Sequence, residues 1–135
     1  MRSLRSYVEG RWHSPTEQGL PLHDAATGEL VAWVSSAGID MAAALEHGRR
    51  IGGPQLRALT FHQRAALLKA LASYLREHRD QLYALSANTG ATLGDSRFDV
   101  DGGIGVLFSY AGKGKRELPN GNVYIDGEVE RLSKG

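Results

Sequence analysis

Gly103-Ile104-Gly105-Val106-Leu107-Phe108 opens with the glycine spacing of a dinucleotide-binding turn, where small residues let the backbone approach a pyrophosphate. Phenylalanine stands where the last glycine belongs, and the run lies inside a helical pattern instead of between a strand and a helix. Gly112-Lys113-Gly114-Lys115-Arg116 offers glycine and positive charge to an anion, but it lacks a Ser or Thr after the lysine and the upstream glycine of a phosphate loop. Cations placed against the negative end of a helix dipole account for it better. Asp99-Val100-Asp101-Gly102 begins like a calcium loop, yet Tyr110 occupies the twelfth position, where a bidentate glutamate is required. His13, His23, His47, His62 and His78 show no close ligand pairing, so surface and capping roles outweigh a zinc site. No G-x-S-x-G motif surrounds Ser86, Ser96 or Ser109. Residue types and spacing therefore assign no catalytic, cofactor-binding or metal-binding residue.

Composition narrows the classes further. The 135 residues are 41% hydrophobic, enough for one modest core. Sixteen Lys plus Arg against fifteen Asp plus Glu leave a formal charge of +1, which argues against nucleic-acid or membrane-surface partners. The absence of cysteine removes disulfides, thiolate metal sites and a thiol nucleophile from this stretch. No apolar h-region follows the basic start, and no run approaches the roughly 20 apolar residues of a membrane span, so the cytoplasm is the expected location.

The elements that would position any site can be read in order. Residues 1–36 predict β hairpins: Tyr7-Val8 and Arg11-Trp12 around Glu9-Gly10, then a run at Leu20 and Leu22 returning through Thr27-Gly28-Glu29 into Leu30–Val34. Residues 37–118 predict a helical region of about four helices. Asp40 caps the first, whose face carries Met41, Leu45 and Gly48, and Gly52-Gly53-Pro54 is expected to stop it. Thr60 and Gln63 form a capping box for the second, which turns Phe61, Ala65, Leu68, Ala72 and Leu75 inward. A third runs from about Arg79 to Asn88 with Leu82 and Leu85 inward, closed by Gly90. Thr92 with Asp95 caps the fourth, whose buried face is Val100, Ile104, Leu107, Phe108 and Ala111. That helix also holds Gly102, Gly103 and Gly105, each costing roughly 1 kcal/mol relative to alanine, and close helix contact at these glycines would explain them. Residues 119–135 predict a C-terminal hairpin about Asp126-Gly127, giving an α+β chain.

Tyr7-Val8-Glu9-Gly10-Arg11-Trp12 and Ala26-Thr27-Gly28-Glu29-Leu30, with the helices that follow, resemble the N-terminal segment of an aldehyde dehydrogenase. Leu56–Phe61, Tyr83–Thr92, Asp101–Gly105 and Arg116–Pro119 are similar to the bifunctional branch of that family that serves phenylacetate degradation. The resemblance implies an α+β piece of an α/β aldehyde dehydrogenase fold. It also implies that the parent is NADP-dependent, joins a hydratase-like ring-opening domain, and oxidises the resulting CoA-linked semialdehyde. It places the catalytic cysteine, its oxyanion donors, the water-activating glutamate and the nicotinamide-binding turn downstream of Gly135. No cofactor is therefore expected to bind these residues, and the isolated chain should be inactive. The remainder of the parent polypeptide is the expected partner, with homo-oligomers formed through the hairpins. In the family, the position matching Asp101 can help hold a structural cation, but one acid is no site and metal stays unassigned. The competing reading is a self-standing helical interaction module without catalysis.

Overall fold

The computed structural model describes residues 3–124. Two antiparallel hairpins precede the helices. In the first, β1 (Ser6–Val8) pairs with β2 (Arg11–His13) so that Val8 faces Arg11. Glu9 and Gly10 are left as a two-residue turn at φ 52° and 77°, the positive angles a type I′ turn demands. Tyr7 faces Trp12 across the ladder, their rings meeting edge-on at 5.3 Å, and the Arg5 guanidinium lies 5.1 Å from the Trp12 ring. The second hairpin pairs β3 (Leu20–His23) with β4 (Leu30–Val34). Asp24 organises its turn by accepting from the Ala26 and Thr27 amides at 2.9 and 2.8 Å.

The first helical rod joins α1 (Met41–His47), a π-helical turn at Gly48–Gly52, and α2 (Gly53–Ala58) without leaving the right-handed helical region at Gly48, Gly52 or Gly53. Gly52-Gly53-Pro54 thus does not stop the helix. Pro54 sits in the first turn of α2, and the Gly53 amide reaches back to Gly48 O, a widened turn just before the residue that has no N–H to donate. Asp40 accepts from Ala43 N at 2.9 Å as the N-cap.

Three further helices follow: α3 (Phe61–Glu77), α4 (Arg79–Ala87) and α5 (Leu93–Arg116). Both expected capping boxes are present, Thr60 with Gln63 and Thr92 with Asp95. The core lies where α3 crosses α5: Ala65 and Ala72 from one side, Ile104 and Ala111 from the other, are buried, with Leu68, Leu75, Val100, Leu107 and Phe108 half-buried around them. The inward faces expected for both helices are therefore the ones used. Small side chains allow the close approach. A Cβ on Gly114 would lie 3.3 Å from Ala65 Cβ, so this glycine sits at a close approach of the two helices. By contrast Gly102, Gly103 and Gly105 are exposed, and a Cβ on each would meet nothing within 4 Å. The expectation that they sit at a helix contact does not hold among the described residues.

Helix α4 packs on α5 through polar links. The Ser96 hydroxyl, almost wholly buried, donates to Ser86 at 2.9 Å, and Tyr83 donates its hydroxyl proton to Asp101 Oδ1 at 2.7 Å. Leu82 is half-buried here, whereas Leu85, expected inward, is exposed. The polypeptide then returns along α3: Phe61 N donates to Gly121 O at 2.7 Å, and Thr60 Oγ1 donates to Asn120 Oδ1 at 3.0 Å. The C-terminal hairpin expected about Asp126-Gly127 lies outside the described residues.

Candidate functional site

None of the glycine runs is arranged as a phosphate cradle. Residues 103–108 sit in the middle of α5, where backbone amides are committed to helical hydrogen bonds and no strand precedes them. Asp99 and Asp101 share the same helix, and the Asp101 carboxylate is taken by Tyr83. That bond raises the Tyr83 phenol above its usual pKa, because ionising it would lose the donated proton and set two negative charges together.

Four of the five histidines are tied to backbone carbonyls. His13 Nε2 donates to Ala37 O at 2.9 Å, His23 Nδ1 to Gly28 O at 3.0 Å, His62 Nε2 to Leu118 O at 3.0 Å and His78 Nδ1 to Tyr74 O at 2.8 Å. His78 also stacks on Tyr74, with ring centroids 4.1 Å apart. His47 lies in the last turn of α1. Among the described residues no three His, Cys, Asp or Glu side chains gather as metal ligands. No helix there is long and apolar enough to cross a membrane.

The feature that residue spacing did not disclose is a groove of about 460 Å³ between α3 and α5. Ala65, Ala66, Phe108 and Ala111 form its apolar floor, and His62, Lys69, Lys115 and Arg116 stand around it. Lys69 and Arg116 are far apart in the chain and line one groove only because α5 lies against α3. Nothing in local sequence could have shown that juxtaposition.

Two antiparallel hairpins followed by four helical rods form an α+β architecture consistent with part of an aldehyde dehydrogenase domain. The sequence pattern of the aldehyde dehydrogenase family matches residues 12–131, and the chain belongs to that family. It is 48% identical over 113 residues to the 3,4-dehydroadipyl-CoA semialdehyde dehydrogenase of Aromatoleum evansii, an alignment covering 83% of this chain and 22% of that protein. The chain thus spans about a fifth of the length of this relative.

Proposed function

We propose that this chain is the N-terminal scaffold of an NADP-dependent dehydrogenase that oxidises the semialdehyde end of a ring-opened CoA thioester in aerobic phenylacetate degradation. The observation that carries this reading is the 48% identity, over most of the chain, to a relative whose name specifies a CoA-linked semialdehyde. Aldehyde oxidation by covalent catalysis needs a thiolate to attack the carbonyl carbon, donors for the resulting oxyanion and a base to activate water. These 135 residues contain no cysteine, so they contribute none of that first step.

The nicotinamide group does not fit the residues described either. Its pyrophosphate needs amides presented at a strand-to-helix turn, and both glycine runs weighed for that role, residues 103–108 and 112–116, lie within α5. No step through the cofactor is assigned to this chain. Its role is to support: the open face of α5, with Phe98, Val106 and Tyr110 exposed beside the unencumbered glycines, is suited to be covered by the rest of the parent polypeptide. The hairpins supply strand edges through which copies of the parent would associate in the cytoplasm.

The test is spectrophotometric. Purified chain, NADP and an aliphatic semialdehyde should give no rise at the reduced-nicotinamide absorbance, whereas a polypeptide that continues this sequence into a cysteine-bearing dehydrogenase should. Turnover by the cysteine-free chain alone refutes the proposal.

A further inference from the structure

The geometry points to the α3–α5 groove as a binding site for a small amphipathic anion, a carboxylate carried on an apolar body. Three observations support it together. The floor is hydrocarbon from alanine methyl groups and the Phe108 ring. The volume of about 460 Å³ lies in the range of sites that enclose small organic ligands.

The charge is unbalanced as well. Lys69, Lys115 and Arg116 stand around the groove, and among the described residues no Asp or Glu comes within 4.0 Å of any of them; the ion pair present joins Glu46 and Arg50 elsewhere. Arg116 folds back along its own helix, so that a Cβ on Gly112 would lie 2.8 Å from Nη1. Its guanidinium therefore lies beside Gly112 on the wall of the groove, and a guanidinium can meet a carboxylate in two parallel hydrogen bonds.

Between His62 and Lys69 the floor rises by roughly 10 Å along α3, which accommodates an extended chain of about eight carbons. An anion without an apolar body would leave the floor wet, and an apolar molecule without charge would leave the cations unanswered.

Octanoate is the probe, with octan-1-ol and inorganic phosphate as comparisons, each titrated into the isotopically labelled chain while amide resonances are followed. Octanoate should move the Ala65, Ala66, Phe108 and Ala111 amides in a saturable way. Octanol and phosphate should bind at least about tenfold more weakly, a difference of about 1.4 kcal/mol. Lys69→Gln and Lys115→Gln, both at exposed positions, should each weaken octanoate with the melting temperature preserved. Ala66→Leu fills the floor and should abolish binding with every cation intact. Equal affinity for octanol and octanoate, or an octanoate affinity unmoved by Ala66→Leu, overturns the assignment. Because neither readout involves NADP or aldehyde turnover, failure here is distinguishable from failure of the dehydrogenase reading.

Discussion

Single hydrogen bonds decide how α4 is held to α5. Tyr83 donates to Asp101, and the bond favours the neutral phenol, so the folded pKa lies above the unfolded one. Its stabilising contribution is then complete below the ordinary tyrosine range and is lost as pH rises through the elevated value. Phenolate absorbance should show one tyrosine titrating later than free tyrosine, and Asp101→Asn should bring it back towards the normal range. Asp24 has the opposite sign. Amides of Thr27 and Ala26 hold its carboxyl below the usual range, so the turn gains stability above the unfolded pKa and loses it as pH falls through the lowered value. The Ala26 and Thr27 amide shifts should inflect at a pH below that of an exposed aspartate.

At the scale of elements, caps and faces were the legible part. Thr60, Thr92 and Asp40 mark helix starts because a side-chain oxygen followed by the right third residue satisfies amides that the helix leaves open, a strictly local requirement. Thr60→Ala should cost about 1 kcal/mol in denaturant unfolding. The faces of α3 and α5 were legible for the same reason, since their apolar spacing repeats within one element. Illegible were features that local signals misstate or do not contain. Gly52-Gly53-Pro54 carries every local stop signal, yet a π turn takes up the proline and the rod continues to Ala58. Leu85 follows the helical period but stays exposed, at the edge of a pocket it lines with Leu4, Leu22 and Val31. The glycines of α5 divide by what lies opposite: Gly114 meets Ala65, whereas Gly105 faces open space. Gly105→Ala should therefore stabilise this chain by roughly 0.5–1 kcal/mol through helix propensity. A loss of that size in a thermal melt would show that something already packs against Gly105. The candidate groove belongs to this illegible class, because it exists only once α3 and α5 are side by side.

For the molecule as a whole, exposure is the governing fact. Among the described residues only Ala32, Ala65, Ala72, Ser96, Ile104 and Ala111 are buried, and their side chains are mostly small. Phe98 is 83% exposed and Tyr110 64%, on a helix whose other side forms the core. A core of this size stabilises a chain weakly, and apolar faces of this kind favour association. Sedimentation of the purified chain should show species heavier than 14.6 kDa that dissociate on dilution. Under the proposed function those faces are surfaces that the rest of the parent polypeptide would cover. The most direct measurement of that claim is the intact mass of the native polypeptide carrying this sequence, taken from its source cells. The account predicts a product several times heavier than 14.6 kDa whose mapped peptides include a cysteine beyond Gly135. A native product of 14.6 kDa would contradict it and favour a self-standing interaction module.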